Sequence, residues 1–260
     1  MQTFINSFKS EWLKTRHTLA AWIVICGAFF TPLIIIIARL VHHTSLATLY
    51  AGKGFWLQLW RSSWESMSIF LLPVGVVLAT SLITQLEFKN NTWKQVHTTP
   101  IPLTIIFCSK LAVILVMFLQ FFVLFNIAIY VSAWLPYVLV SGVPYPTAPI
   151  PYALFVKENA LYFLDCMPIL ALQYLLGLQF KNFLVAIGTG FLIWIAAVAA
   201  VSWKYSYCIP YSYSIFNFLS GQKGGRPFSS PINFHYMAVG YTILFTIVSY
   251  ILYIKKREKG

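Results

Sequence analysis

The chain has 260 residues, of which 59% are hydrophobic and 9% charged, and its mean hydropathy is +0.76. A soluble globule of this length needs more polar surface to cover its core, so the composition indicates an integral membrane protein. The formal net charge is +12. Because the Lys and Arg residues lie between apolar runs and form no basic face, nucleic acid is not an expected partner. These cations are expected to set topology and to meet anionic membrane lipids.

The first predicted element is an amphipathic helix in the segment FINSFKSEWLKTRHT. Its apolar residues Phe4, Ile5, Phe8 and Trp12 fall on one stripe of a helix. We therefore predict that residues 1–18 form an interfacial helix on the inner side of the membrane. The alternative is a cytoplasmic extension of the first spanning helix. Residues 19–260 are then the transmembrane domain.

Apolar stretches of about 20 residues follow, each long enough to cross the hydrocarbon as a helix that satisfies its own backbone polar groups. Six can be drawn, at Leu19–Ala38, Ser66–Leu86, Leu111–Leu135, Asn159–Phe180, Asn182–Trp203 and His235–Ile254. We therefore expect an all-α membrane protein with six transmembrane helices. With the N-terminus inside, eleven Lys and Arg residues face the cytoplasm and seven face outward. The excess predicts that both termini are cytoplasmic.

The longest polar interval in the first half of the chain is EFKNNTWKQVHTTP, Glu87–Pro100. Thr99 and Pro100 predict the N-cap and first residue of a new helix, whose first turn also accommodates Pro102. Upstream, the residues from Glu87 to about His97 predict a short polar helix. The interval is therefore expected to project into the cytoplasm as a helix–break–helix element. An ordinary solvated loop is the alternative.

Motifs for catalysis, nucleotide binding and metal binding are absent from the sequence, so we predict no catalytic residue and no metal site. Asp165 lies clearly inside a predicted span, where an ionisable residue indicates a functional role. The alternative is a structural ion pair with an outer-loop cation. Together with Gln173 and Asn126, Asp165 forms the candidate substrate pathway. Cys166 and Cys208 could meet on the outer side as a disulfide.

The order E…NNTWKQVHTTPIPLTIIFCSKL resembles the cytoplasmic loop of type-2 ABC exporter permeases. In that family an acidic residue near the end of the second span precedes a Thr-containing turn, a coupling helix, a Thr-Pro-Ile break and a Lys that opens the third span. The corresponding residues are Glu87, Thr92, Pro100, Ile101 and Lys110. The segment SEWLKTRHTLAAWI is similar to the family's opening interfacial helix. In size, the chain also resembles permeases of lantibiotic-immunity and bacitracin-type peptide exporters.

This resemblance implies a permease subunit of an ATP-driven exporter in the bacterial cytoplasmic membrane, with a coupling loop at about residues 87–110. The implied ATPase-coupling residues are Glu87, Thr92, Trp93, Lys94 and His97. No cofactor is expected in this chain, because a separate ABC ATP-binding subunit would bind ATP and Mg. A second permease chain would complete a homodimer or heterodimer. Antimicrobial peptides, lipids and hydrophobic drugs remain open as substrates, and antibiotic resistance or immunity is the corresponding role.

The outer side carries prolines at positions 144, 146, 149 and 151, which predict an irregular segment. Before the last span, the family resemblance implies short re-entrant or surface helices. The alternative is an aromatic belt at the membrane interface. Its members would be Tyr205, Tyr207, Tyr211 and Tyr213.

Two other functions stay open at this point. A membrane-embedded enzyme would need polar groups that converge within the spans. The candidates are Asp165, Gln173, Gln120 and Asn126. The other possibility is a non-transporting assembly or anchoring protein.

Overall fold

The computed structural model describes residues 2–89, 101–221 and 233–255, the side chains of residues 87–89 excepted. In chain order its helices are α1 (Gln2–Thr15), α2 (Leu19–Val41), α3 (Leu46–Tyr50), α4 (Phe55–Ser66), α5 (Leu72–Lys89), α6 (Leu103–Leu139), α7 (Tyr152–Gln179), α8 (Phe183–Ala199), α9 (Tyr213–Ser220) and α10 (Phe234–Lys255). Short 3₁₀ turns lie at His43–Ser45, Ser206–Cys208 and Pro210–Ser212. These ranges contain no strand, so the expected all-α class is confirmed for them.

Among the described residues, five helical segments are long and apolar enough to cross a membrane. They are Leu19–Val41, Phe55–Leu86, Leu103–Leu139, Tyr152–Gln179 and Phe234–Lys255. The fifth predicted span corresponds to α8, which is apolar but only 17 residues long. Such a helix is about 26 Å long, somewhat less than the roughly 30 Å of a hydrocarbon core. The count of six spans therefore stays a prediction.

Two of the long helices extend well beyond their predicted limits. The second begins at Phe55 rather than Ser66, because α4 continues into α5 through a π-helical turn at Met67–Leu71. The third, α6, has 37 residues and is therefore about 55 Å long. It begins after Pro102, which has φ −57° and ψ 135° and occupies the N-cap rather than the predicted first turn. Thr99 and Pro100 lie outside the described residues.

The helix α7 is the centre of the packing, since α5, α9 and α10 all lie against it. On the other side, α1 and α2 pack along α6. Parts of α4, α6 and α7 meet in a cluster of rings. Fully buried Trp64 stacks on Tyr162 with 3.8 Å between ring centroids and meets Phe125 edge-on at 5.1 Å. Each such pair contributes about 0.5–1.5 kcal/mol beyond the buried area alone.

The helices α5 and α7 approach each other most tightly at Gly177. A Cβ at this position would lie 2.0 Å from Thr84 Oγ1, so only glycine fits there. One residue further along α5, the Gln85 Nε2 group donates to the backbone carbonyls of Gly177, at 3.0 Å, and Phe180, at 2.6 Å. Since the last carbonyls of a helix lack intrahelical partners, Gln85 caps the end of α7.

The connections on the predicted outer side agree in part with expectation. Residues 140–151, which hold the four prolines, form no helix, so the predicted irregular segment is confirmed. Cys166 is buried, Cys208 is exposed, and both are free thiols. The disulfide considered between them is therefore not formed.

Candidate functional site

The N-terminal helix α1 packs on α6 through a polar stripe. Its buried residues are Ser7, Glu11 and Thr15. They are four positions apart and so share one face of the helix. The predicted apolar stripe is divided by this packing, because Phe8 and Trp12 lie against the core while Phe4 and Ile5 are 37% and 43% exposed. Those exposed apolar side chains suit a membrane interface, although the interfacial location stays a prediction.

Two polar contacts fasten α1 to the beginning of α6. The hydroxyl oxygens of Ser7 and Ser109 lie 2.8 Å apart. The Glu11 carboxylate pairs with Lys14 and lies 3.9 Å from Lys110 Nζ. Lys110 is only 3% exposed, and a buried ammonium needs a nearby counter-charge. We call these contacts, Ser7–Ser109 and Glu11–Lys110, the α1–α6 clamp.

The predicted ATPase-coupling residues precede Ser109 and Lys110 in the chain. Their side chains lie outside what the structure describes. Glu87 belongs to the backbone of the last turn of α5, and its side chain is not among those described. Thr92, Trp93, Lys94 and His97 lie outside the described residues altogether. The structure describes the helices on both sides of the predicted coupling element: α5 ends at Lys89 and α6 begins at Leu103.

Asp165 is fully buried in α7 and faces the first turn of α10. Its Oδ1 lies 2.7 Å from Nδ1 of His235, whose side chain is 19% exposed. The other oxygen, Oδ2, has no hydrogen-bond partner among the described residues. The pair therefore ties α7 to α10 and leaves one acceptor unused. The sequence signal for His235 was its position at the start of an apolar run, which did not identify its partner.

Gln173 is fully buried at a junction of four elements. Its Nε2 donates to Ser81 Oγ at 2.7 Å and to the Ala186 carbonyl at 2.5 Å. The Tyr211 hydroxyl donates to its Oε1 at 3.4 Å. The partners come from α5, α8 and the 3₁₀ turn before α9. Since both amide hydrogens are used inside the protein, this arrangement favours a structural junction over an open polar pathway.

Asn126 in α6 forms a reciprocal amide pair with Asn159 in α7. Each Nδ2 donates to the other residue's Oδ1, at 3.1 and 3.0 Å. Each also donates to a carbonyl one turn earlier in its own helix, of Phe122 or Phe155. Both residues line a cavity between α4, α6 and α7. The three predicted pathway residues thus have different partners and are not brought together in one site.

The segment before the last described helix forms the predicted short helices. Tyr211 and Tyr213 are 0% exposed. The Tyr213 hydroxyl donates to the Tyr207 carbonyl at 2.9 Å. Burial raises the pKa of both phenols above its usual value. The alternative of an interfacial belt is therefore wrong for these two residues, because their rings pack inside the protein, while Tyr205 remains exposed.

Comparison with known proteins adds one family match. The family model described as ABC-2 family transporter protein matches residues 7–197. That range begins in α1 and ends in α8, so it includes both sides of the α1–α6 clamp, the amide pair and Asp165. No curated protein and no solved structure gives a significant match.

Proposed function

The chain belongs to the ABC-2 transporter family, and from that premise we propose that it is the permease subunit of an ATP-driven exporter. The observation that carries the proposal is the family match over most of the chain. A separate ATP-binding subunit would bind ATP and Mg, because the proteins of this family are the membrane components of transporters. The long apolar helices support a multi-pass membrane location. The bacterial cytoplasmic membrane, with both chain termini inside, completes this part of the proposal.

The α1–α6 clamp supports a route by which an ATPase would move the permease. A force on the coupling element would reach α6 through its first residue, Leu103. Ser109 and Lys110 lie within the next two turns, and both contact α1. If α6 moved alone, buried Lys110 would leave the Glu11 carboxylate. The same movement would break the Ser7–Ser109 hydrogen bond, so α1 and the start of α6 should move as one body.

Transport then requires two conformations of the permease that bind substrate with different affinity. A ligand shifts a two-state equilibrium only by its differential affinity for the two states. Reversing a 1:99 ratio to 99:1 takes about 5.5 kcal/mol. ATP binding in the partner subunit would supply this free energy through Glu87, Thr92, Trp93, Lys94 and His97.

The proposal also includes a second permease chain, identical or related, and surrounding lipid. Exposed aliphatic side chains on α8 and α10 support an apolar environment for these helices. Examples are Leu184, Leu192, Ile243 and Leu244.

The substrate of the proposed exporter stays open among antimicrobial peptides, lipids and hydrophobic drugs. A role in antibiotic resistance or immunity depends on which of these it is and stays open as well.

The test is co-expression with a candidate ABC ATPase, followed by co-purification and ATP hydrolysis measurements. We expect Glu87→Gln, Thr92→Ala and Trp93→Ala to weaken binding, or to uncouple hydrolysis from transport, while folded yield is kept. Thr48→Ala is a matched control, because Thr48 is exposed and lies in α3, on the predicted outer side. If all three variants bound and coupled like the parent, the polar interval would be a solvated loop. If no ATPase bound the parent chain, an anchoring role or an enzyme would be favoured.

A further inference from the structure

The cavity between α4, α6 and α7 has the size and lining of a small-molecule site. Its volume is about 500 Å³, within the range of about 300–1,000 Å³ typical of ligand pockets. Its aromatic lining residues are Trp56, Trp60, Phe122, Tyr130, Tyr152 and Phe155. Among the described residues, no Lys, Arg, His, Asp or Glu lines it. The polar groups of its wall belong to the amide pair, to tyrosine hydroxyls and to the indole N–H groups of Trp56 and Trp60.

The indole rings of this wall are held in place before any ligand binds. Trp56 Nε1 donates to the Ala148 carbonyl at 2.9 Å, and the ring stacks on Tyr130 with an interplanar angle of 2°. Trp60 stacks on Phe155 with 4.1 Å between centroids. The faces of such rings carry negative charge density and attract cations. Trp56 and Trp60 are themselves only 3% and 4% exposed, so a positively charged ligand would contact the rings of Tyr130 and Tyr152, which are 45% and 68% exposed. The stacking on Trp56 holds the Tyr130 ring in place before a ligand binds.

The amide pair adds acceptors to the same cavity. Both hydrogens of each Asn126 and Asn159 amide group are already donated. Each Oδ1 accepts one of these bonds and has a second lone pair. An anion would find no unused donor in the pair, whereas a cation would find two partly negative oxygens. The amide pair thus favours a cation over an anion.

The rim of the cavity is aliphatic and open. Val123, Ile127 and Val156 line it and are each at least half exposed. They lie on helices long enough to span a membrane, so this rim suits the apolar body of a ligand that arrives from the hydrocarbon. We propose that the cavity binds hydrophobic organic cations, with the charge against the rings and amide oxygens. This proposal is independent of the proposed transport function, because binding is tested on the chain alone.

Binding is measured on the purified permease in a neutral detergent, without any ATPase, by equilibrium dialysis against empty micelles. The probes are tetraphenylphosphonium and tetraphenylborate, which have the same shape and opposite charge. We expect saturable binding of the phosphonium that is tighter than that of the borate by about tenfold, the effect of two cation–π contacts. Equal affinity for both ions would overturn the proposal and favour a lipid chain as the occupant. Absence of phosphonium binding would also overturn it.

Two variants test whether the ion occupies this cavity. Tyr130→Leu should lower phosphonium affinity by about two- to fivefold, the effect of one partly exposed ring. The control is Tyr236→Leu, since Tyr236 is 75% exposed on α10 and lines no part of the cavity. Asn126→Leu combined with Asn159→Leu should lower the preference for the cation, because it removes the two amide oxygens and leaves the rings in place. Replacing both partners by apolar groups of similar shape is nearly neutral for folding, which thermal unfolding checks. Parent-like binding by both variants would place the ion elsewhere.

Discussion

The Asp165–His235 contact predicts unequal effects for changes to its two members. His235→Ala leaves the fully buried Asp165 carboxyl without a partner among the described residues. Removing one member of a buried pair costs about 3–5 kcal/mol of unfolding free energy. Asp165→Asn keeps an oxygen that accepts from the imidazole N–H, so it should lose only the charge-assisted part of the bond, about 1 kcal/mol. We therefore expect His235→Ala to be the more destabilising change, by about 2–4 kcal/mol.

The assay is reversible unfolding in mixed micelles, with the fraction of anionic detergent as the denaturant. The parent, both single variants and the double variant form a cycle, and contacting residues in such cycles show interaction energies of about 0.5–3 kcal/mol. Tyr236→Ala is the control, because Tyr236 neighbours His235 and is largely exposed. Equal small losses for His235→Ala and Asp165→Asn, with additive effects in the double variant, would refute the reasoning.

Transport measured on the same proteins separates a functional role of Asp165 from a structural one. If Asp165 belongs to a pathway, Asp165→Asn should change transport or stimulated ATP hydrolysis while the folded yield stays near that of the parent. If the residue is only a structural partner, transport by Asp165→Asn should stay near that of the parent, and His235→Ala should lower the folded yield instead. Normal transport by Asp165→Asn together with normal yield of His235→Ala would exclude both roles.

Three further outcomes are expected. Gly177→Ala forces a methyl group into the tightest α5–α7 approach and should lower the free energy of unfolding by about 1–3 kcal/mol. The added methyl group of Gly188→Ala meets nothing within 4 Å, so this variant should raise the free energy of unfolding by up to about 1 kcal/mol. Equal shifts in the thermal unfolding of the two variants would contradict this. Glu11→Gln should reduce stimulated ATP hydrolysis more than binding of the ATPase, and parent-like coupling would remove the clamp from the route. In a cysteine-free background, an impermeant reagent should label Ser141→Cys but not Asn90→Cys in intact cells, and labelling of the latter would reverse the orientation.

The long apolar runs and the proline-rich segment were predictable because each depends on local sequence alone. The start of the second span was not. Arg61 and Glu65 interrupt its hydropathy, which is why the predicted span began at Ser66. The helix nevertheless includes them. Arg61 Nη2 donates to the Gly221 carbonyl at 3.0 Å. The tryptophan rings of α4 pack against aromatic rings of α6 and α7. A tertiary contact thus stabilises a helical turn that composition alone assigned to a loop.

The polar candidates within the spans were identified from the sequence, but their partners were not. Asn126 meets a residue 33 positions away, and Asp165 meets one 70 positions away. Such pairings depend on which helix faces lie together, and apolar runs with few interruptions carry little information about their facing sides. The same limit applies to Lys110, which corresponds to a position of the family pattern that does not identify Glu11 as its partner. The coupling residues from Glu87 to His97 stay predictions.

The length of α6 makes the clamp a link between the permease and the thickness of its bilayer. A helix of about 55 Å exceeds a hydrocarbon core of about 30 Å, and a free helix would tilt to relieve this mismatch. The predicted cytoplasmic end of α6 is held by Ser7 and Glu11 on α1. If α1 lies at the level of the lipid headgroups, its depth in the membrane limits the tilt that α6 can adopt. Activity should then vary with lipid acyl-chain length, and Ser7→Ala should weaken that dependence.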